Sequence, residues 1–292
     1  MATLQQWAAG ARPRTLPAAV APVAVGTGSA HALGDSDLAL ALLALVVALA
    51  LQVGVNYAND YSDGVRGTDS AARVGPVRLV GGRLADPQTV RFAAFFFFGV
   101  GCLAGLALVA LSGRMELLLV GVAAVWAAWH YTGGERPYGY RGLGEVAVFL
   151  FFGLVAVLGT SWAQAGRLDL GSFAGAVGVG ALACAILVTN NLRDLAGDRQ
   201  AGKRTLAVRL GDRRTRRLYA GLLLTAPVSA GVAALAHPWA LLALLALPLG
   251  YRPAQRVLGG ARGAALVPVL AMTGVLQLGY AGLLALGLAL AG

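Results

Sequence analysis

Long apolar stretches of about 20 residues dominate this chain of 292 residues and limit what it can fold into. A helix of that length matches the hydrocarbon thickness of a bilayer. The composition agrees, because 58% of the residues are hydrophobic and only 12% are charged, about half the charged fraction of a soluble domain. We therefore expect an all-α, polytopic membrane protein with about nine transmembrane helices. They are predicted at approximately 16–33, 37–57, 91–112, 115–131, 144–165, 170–190, 216–236, 238–256 and 264–290.

The distribution of basic residues predicts the orientation. If the N-terminus is inside, the inner segments hold all but two of the 23 Lys and Arg residues, the exceptions being Arg114 and Arg167. Such asymmetry is typical of cytoplasmic loops. We therefore expect a multi-pass protein of the cell membrane with a cytoplasmic N-terminus. The net charge of +10 is explained by these short loops, so it does not indicate binding to nucleic acid.

Two short strings of acidic and amide residues close the second and sixth predicted helices. The first contains Asn56, Asp60 and Asp63 and continues to Asp69; the second contains Asn190, Asp194 and Asp198. On a helix, the first three residues fall within about 60° of one another and the second three within about 80°. Carboxylates stacked in this way repel unless a cation lies among them. The strings therefore predict a pair of hard-metal sites that face each other at the cytoplasmic side.

The spacing of the strings suggests an internal duplication, because they lie four helices apart. We expect one transmembrane domain over 1–292, with pseudo-repeats at approximately 12–135 and 136–256 and a last helix at 264–290. Pseudo-symmetry of this kind brings corresponding residues to one central cavity. Each half would then supply one acidic string to the same site.

These residue types indicate chemistry on a diphosphate. Acidic residues at a membrane span are costly, and a functional interpretation is the default. Mg²⁺ bridges carboxylates to substrate phosphates, and two ions would turn a diphosphate into a leaving group. The basic loop 193–217 suits an anionic substrate. In a membrane, an isoprenoid diphosphate combines such a head group with an apolar tail. The stretches Phe95–Phe98 and Phe149–Phe152 either line the tail pocket or face lipid.

The strings resemble the motifs of the UbiA superfamily of membrane aromatic prenyltransferases, in which Asn-x-x-x-Asp-x-x-x-Asp occurs twice. The first string departs from that pattern, because Gly64 stands at the last acidic position and Asp63 precedes it. This departure resembles the branch that prenylates 1,4-dihydroxy-2-naphthoate in menaquinone synthesis. Several other stretches also resemble this branch, at 12–17, 59–69, 75–79, 131–133, 137–145, 190–194 and 202–208.

The resemblance implies Mg²⁺-dependent transfer of a polyprenyl group from its diphosphate to 1,4-dihydroxy-2-naphthoate, with loss of diphosphate and CO₂, giving demethylmenaquinone. It assigns metal and diphosphate binding to Asn56, Asp60, Asp63, Asn190, Asp194 and Asp198, with Asp69 as a further candidate. Arg78, Lys203 and Arg204 would contact the diphosphate. Arg136, Tyr138 and Tyr140 would hold the aromatic acid, or would act as ordinary interfacial anchors.

Three other functions compete with this one. The first is prenyl transfer to another aromatic acceptor. The second is a CDP-alcohol phosphotransferase, whose motif opens like Asp60-x-x-Asp63-Gly64 but requires a second acidic pair closely downstream. The third is a cation-coupled transporter, which predicts mid-span acids and discontinuous helices.

Overall fold

The computed structural model of the protein describes residues 2–67 and 78–291, and every regular element in these two ranges is helical. The α-helical segments there are α1 Leu4–Gly10, α2 Pro17–Ala32, α3 Leu38–Val65, α4 Pro87–Ser112, α5 Leu117–His130, α6 Gly144–Val148, α7 Ala156–Ala165, α8 Leu170–Gln200, α9 Leu206–Ala233, α10 Pro248–Leu258 and α11 Val267–Ala289. A π-helical segment, Phe149–Val155, joins α6 to α7. Short 3₁₀ segments occupy Pro13–Thr15, Tyr138–Arg141, Pro238–Ala246 and Gly263–Leu266.

The all-α membrane fold is confirmed. Within the described residues, five helical stretches are long and apolar enough to cross a bilayer: Leu38–Val65, Pro87–Ser112, Gly144–Ala165, Leu170–Gln200 and Gly263–Ala289. Of the other predicted spans, α2 and α5 are shorter helices of 16 and 14 residues. The seventh lies in α9, which is kinked at Gly211, and the eighth is divided between a 3₁₀ segment and α10. The number of nine spans therefore stays a prediction.

Asn56, Asp60 and Asp63 of the first string lie in α3, and the whole second string lies in α8. Helix α3 continues to Val65, past the predicted end at 57, and α8 continues to Gln200, past 190. Glycines with positive φ follow both helices, Gly67 at 66° and Gly202 at 73°, as is usual where a helix ends. Each string therefore presents one polar face over the last turns of its helix.

The largest buried core cluster lies between α2, α8, α9, α11 and the 3₁₀ segment Pro238–Ala246, and alanine is its most frequent residue. Helix α8 is largely buried, and it crosses the π-helical segment where two glycines meet. A Cβ atom added to Gly153 would lie 2.8 Å from the Cα atom of Gly180. This contact therefore requires glycine. It brings the acid-bearing helix close to the π-helical segment, a rare conformation that is frequent at functional sites.

The loops that follow α3, α5 and α8 gather at one end of the bundle, which we call the acid end. Arg66 donates hydrogen bonds to the carbonyl groups of Thr132 and Gly134. The backbone N–H of Arg204 donates to the carbonyl of Tyr140 at 2.9 Å. Lys203 and Tyr140 of the second predicted repeat contact Asp63 of the first, so the two halves of the chain meet at this end.

Candidate active site

A cavity of about 1910 Å³ extends from the acid end into the bundle. Its deeper walls are small and apolar side chains of α2, α3, α5, α7 and the π-helical segment. Phe151 and Phe152 are among them, whereas Phe95 and Phe96 are exposed and Phe98 packs against α3. Only the second of the two phenylalanine-rich stretches therefore lines the cavity.

The mouth of the cavity is polar, and most of the predicted site residues lie there. Those that line the cavity are Asn56, Asp63, Arg78, Tyr138, Tyr140, Asn190, Asp194, Asp198 and Lys203. They come from both predicted repeats. The structure thus brings the two acidic strings to the mouth of one chamber that is polar at one end and apolar along its length.

Asp63 is the most densely bonded acid of the first string. Its Oδ2 atom accepts a hydrogen bond from Arg78 at 3.0 Å. Its Oδ1 atom accepts from Lys203 at 2.8 Å and from the hydroxyl of Tyr140. The Asp63 side chain is only 6% exposed, so these three donors replace water around a buried carboxylate.

Asp60 does not line the cavity. Its Oδ2 accepts the backbone N–H of Leu79 at 2.8 Å, and its Oδ1 accepts that of Val80 at 2.9 Å. Both oxygens thus hold the segment that returns to the bundle at residue 78. Because Arg78 is the residue before this pair, the Asp60 contacts place its guanidinium beside Asp63.

Asn56 lines the cavity, but its amide also fixes the N-terminal segment. The Nδ2 atom donates to the carbonyl of Ala11 at 2.8 Å and to Oγ1 of Thr15 at 3.1 Å. Gln52 donates to Thr15 and to the Asn56 Oδ1 atom. These bonds hold residues 11–15 against α3, at the mouth of the cavity.

The second string faces the cavity with all three of its members. Arg193 binds both oxygens of Asp194, at 2.8 and 2.6 Å. Lys203 lies 3.9 Å from the Oδ1 atom of Asp198. Asn190 lines the wall one helical turn before Asp194. Basic side chains thus neutralise acids of this string as they do Asp63.

Lys203 connects the two strings, since its ammonium contacts both Asp63 and Asp198. Among the described residues, no three acidic, histidine or cysteine side chains converge closely enough to form a complete metal cage. The carboxylates nevertheless share one cation. A set of oxygen ligands of this kind fits Mg²⁺, which is bound through one or two carboxylates together with substrate phosphates rather than by an all-protein cage.

Tyr140 joins the loop after α5 to this centre. Its hydroxyl donates to Asp63, and its ring lies 4.6 Å from the Lys203 ammonium and 5.3 Å from the Arg66 guanidinium. Burial, and next the charge of Asp63, raise the pKa of Tyr140 above its ordinary value. Tyr138 also lines the cavity, and its hydroxyl donates to the carbonyl of Ala127 at 2.7 Å.

Two further predicted residues lie outside the cavity wall. Arg136 and Arg204 are exposed and are not among the side chains that line the cavity. Asp69 lies outside the described residues. The sequence shows that Arg136 and Arg204 lie in basic loops. It does not show whether their side chains face the cavity or solvent.

Arg12 and Arg193 are among the cavity-lining arginines to which the sequence assigns no role. Arg12 has a left-handed backbone conformation, with φ at 52°, and lies close enough to Asp60 and Asp63 for electrostatic interaction. Arg193 is 8% exposed and neutralises Asp194. Both stand in stretches that carry the family resemblance, and this is the sequence feature that points to a role in the site.

Comparison with known proteins agrees with this architecture. The sequence pattern of the UbiA prenyltransferase family matches residues 19–265. The chain is 56% identical over 281 residues to the 1,4-dihydroxy-2-naphthoate octaprenyltransferase of Mycobacterium tuberculosis, covering 96% of each chain.

Solved structures share the fold. A UbiA homolog from Aeropyrum pernix K1 in its apo form superimposes with a TM-score of 0.70 at 14% identity, covering 90% of this chain and 94% of that one. A UbiA homolog from Archaeoglobus fulgidus bound to DMAPP and Mg²⁺ gives 0.65 at 14% identity, covering 96% and 99%. The predicted resemblance is confirmed: this chain belongs to the UbiA prenyltransferase family.

Proposed function

We propose that this protein transfers a polyprenyl group from an isoprenoid diphosphate to 1,4-dihydroxy-2-naphthoate. The C–O bond between the prenyl group and the diphosphate breaks, a bond forms between the prenyl carbon and the ring, and diphosphate and CO₂ are lost. The immediate product is the quinol form, demethylmenaquinol, whose oxidation gives demethylmenaquinone. The name of the mycobacterial relative supports this acceptor, and the family supports the reaction type.

The observation that carries the proposal is the polarity of the cavity. Acidic and basic side chains occupy its mouth, and an apolar chamber lies behind them. A molecule with a charged head and a long apolar tail satisfies both parts. A free sugar or nucleotide would leave the apolar chamber unfilled, and a simple lipid would leave the buried charges without a partner.

The acids Asp63, Asp194 and Asp198, together with Asn190, are the residues that would hold Mg²⁺. When bound, Mg²⁺ would neutralise the diphosphate and make it a better leaving group. The structure of the Archaeoglobus homolog bound to DMAPP and Mg²⁺ supports this ion. We further propose two ions, one for each acidic string.

The basic residues at the mouth would stabilise the negative charge that develops on the departing diphosphate. Arg78 and Lys203 lie beside Asp63, and Arg193 lies beside Asp194. Preorganised cations of this kind act where charge develops in the transition state. We assign Asp60 and Asn56 a supporting role, because their polar atoms hold residues 78–80 and 11–15 in position.

The apolar chamber protects the reaction. Ionisation of an allylic diphosphate leaves a carbocation that water would quench, so the chain must exclude solvent. The walls formed by Phe151 and Phe152 serve that purpose. Tyr138 and Tyr140 line the same mouth as the acids, and we propose that the aromatic acceptor binds against them.

The structure disfavours cation-coupled transport. That function requires acids near mid-span and discontinuous helices. Helix α3 is unbroken past Asp63 and α8 is unbroken past Asp198, and both carry these acids near one end. A CDP-alcohol phosphotransferase is disfavoured by the family match. We propose further that the protein lies in the cell membrane with its N-terminus and acid end in the cytoplasm, as its basic loops predict.

The direct test is an assay of the purified protein in vesicles with a radiolabelled polyprenyl diphosphate and a panel of aromatic acids. We expect label in a prenylated naphthoquinol when 1,4-dihydroxy-2-naphthoate and Mg²⁺ are present, and none after addition of EDTA. Release of labelled CO₂ from the carboxyl-labelled acid confirms decarboxylation. If transfer prefers another aromatic acid, that acid takes the place of 1,4-dihydroxy-2-naphthoate as the proposed acceptor. Absence of transfer to every acid would refute the proposal.

A further inference from the structure

A buried acid outside the metal-type strings adjoins the cavity. Glu145, in the first turn of α6, is 8% exposed. Its Oε1 atom accepts a hydrogen bond from Nδ2 of Asn191 at 2.9 Å. Its Oε2 atom is buried and has no hydrogen-bond partner among the described residues. An unpaired buried carboxylate oxygen costs stability, so its presence requires an explanation.

Asn191 lines the cavity, whereas Glu145 stands behind it. An asparagine amide can present either its oxygen or its NH₂ group, and its neighbours decide which. Oε1 of Glu145 accepts its hydrogen bond from Nδ2 of Asn191, and this contact selects the orientation in which Nδ2 points away from the cavity. The Oδ1 atom is then the part of the amide that remains for a ligand.

The position of this oxygen on α8 relates it to the proposed reaction. Asn191 precedes Asp194 by three residues, so the two side chains are neighbours on the helix, with Asn191 deeper in the bundle. Phosphate and carboxylate oxygens are themselves acceptors, so the Oδ1 atom of Asn191 makes this wall unfavourable for them. A neutral hydrogen-bond donor is the chemical group that fits.

We propose that the Glu145–Asn191 pair determines acceptor specificity by binding the ring 4-hydroxyl of 1,4-dihydroxy-2-naphthoate. Asn191 accepts this hydrogen bond through Oδ1, and Glu145 is a positioning residue that acts through Asn191. The 1-hydroxyl is adjacent to the carboxylate and donates to it internally, so the 4-hydroxyl is the donor that needs a protein partner. This inference rests on the proposed function.

The test compares two ligands by equilibrium binding, which is independent of ring reactivity. The full-length protein in detergent, saturated with an unreactive prenyl thiodiphosphate and Mg²⁺, is titrated with 1,4-dihydroxy-2-naphthoate and with 1-hydroxy-2-naphthoate, which lacks the 4-hydroxyl. We expect the wild type to bind the second about tenfold more weakly, as for one lost hydrogen bond. Asn191→Leu should reduce the ratio of the two dissociation constants to about one.

Variants of Glu145 separate positioning from folding. Glu145→Met should reduce the ratio of the two dissociation constants to about one, because the Asn191 amide can then rotate. Glu145→Gln retains an oxygen that accepts from Asn191 and should retain the ratio. Gln277→Met is a matched control, because Gln277 is also buried and has an oxygen without a partner in the described part of the chain, but it does not line the cavity. It should keep the wild-type ratio.

A tenfold ratio that persists in Asn191→Leu would overturn the inference, as would a wild-type ratio near one. In both cases prenyl transfer to 1,4-dihydroxy-2-naphthoate by the wild type would leave the proposed function intact. Loss of the ratio in Gln277→Met as well would show that any buried polar substitution has this effect, and would also overturn it. Failure of the wild type to bind or prenylate 1,4-dihydroxy-2-naphthoate would instead refute the proposed function.

Discussion

The ammonium of Lys203 lies 2.8 Å from the Oδ1 atom of Asp63, a residue 140 positions earlier in the chain. Both side chains are largely buried, at 11% and 6% exposure. The same ammonium lies 3.9 Å from Asp198. A positive charge thus occupies the space between the two acidic strings. Buried ion pairs contribute little net stability, so we attribute this one to the binding of a charged ligand.

Replacing Lys203 should affect the two substrates differently. Lys203→Met keeps most of the packing of the side chain and removes its charge. We expect the KM for the prenyl diphosphate to rise about tenfold, because one charge-assisted contact is lost, with a change of less than about twofold for the aromatic acid. Arg199→Ala, at an exposed site near the end of α8, is the control. Steady-state kinetics with each substrate varied in turn decides this, and a change confined to the aromatic acid would contradict it.

Asp60 and Asp63 should respond differently to the same substitution. Asp63→Asn removes a charge from the cavity and should lower kcat at least about 100-fold. In Asp60→Asn, the side-chain oxygen can accept from one of the two backbone N–H groups, but the NH₂ group cannot accept from the other. It should lower the free energy of unfolding by about 2 kcal/mol, or roughly 5 °C in Tm.

Thermal unfolding in detergent, with EDTA present, measures the second effect without bound metal. Asp63→Asn provides the comparison, since its principal effect is expected in kcat. If Asp60→Asn keeps the wild-type Tm but requires much more Mg²⁺ for activity, Asp60 belongs to the metal ligands as the sequence predicted.

This difference shows what helical periodicity can predict. The angular positions of Asp60 and Asp63 place both on one polar face of α3, and the structure agrees. Which member of that face reaches the cavity depends on the return of the chain at residues 78–80, whose N–H groups take both oxygens of Asp60. That contact joins residues about 20 positions apart, so the local sequence pattern does not predict it.

The arginines illustrate a second limit. The basic loops and their common side of the bundle follow from charge distribution alone. The depth of each side chain does not, because Arg136 is exposed whereas Arg12 lines the cavity through a left-handed backbone conformation. Tertiary contacts, including the amide of Asn56 on the carbonyl of Ala11, determine that difference.

Tyr140 should remain a hydrogen-bond donor over the whole working pH range. Burial and the nearby charge of Asp63 raise its pKa above the ordinary value, so its phenol stays protonated when an exposed tyrosine begins to ionise near pH 10. Tyr140→Phe should therefore lower kcat/KM about tenfold, by a constant factor from pH 6 to pH 10. A pH profile of both proteins tests this. Convergence of the two profiles as the pH approaches 10 would mean that the tyrosine ionises in that range.

The length of the prenyl tail should depend on a glycine deep in the chamber. Gly159 lies on α7, roughly 20 Å along the helix from Gly144 at 1.5 Å per residue, and it lines the cavity. A Cβ atom added there meets no described atom within 4 Å apart from the adjoining turns of its own helix. Gly159→Leu therefore places its side chain in the chamber without a clash at Cβ, and it also improves the helix propensity.

We expect Gly159→Leu to leave kcat/KM for geranyl diphosphate within about twofold of wild type, since a short tail ends before this point. For long polyprenyl diphosphates the value should fall about tenfold, because several methylene groups lose their place in the cavity. Gly99→Leu is the matched control: Gly99 also has open space around it, but it is exposed on α4 and does not line the chamber. Competition between short and long diphosphates in one assay measures the preference directly. If Gly159→Leu lowers the rates for both lengths equally, the tail does not extend along α7 to this depth.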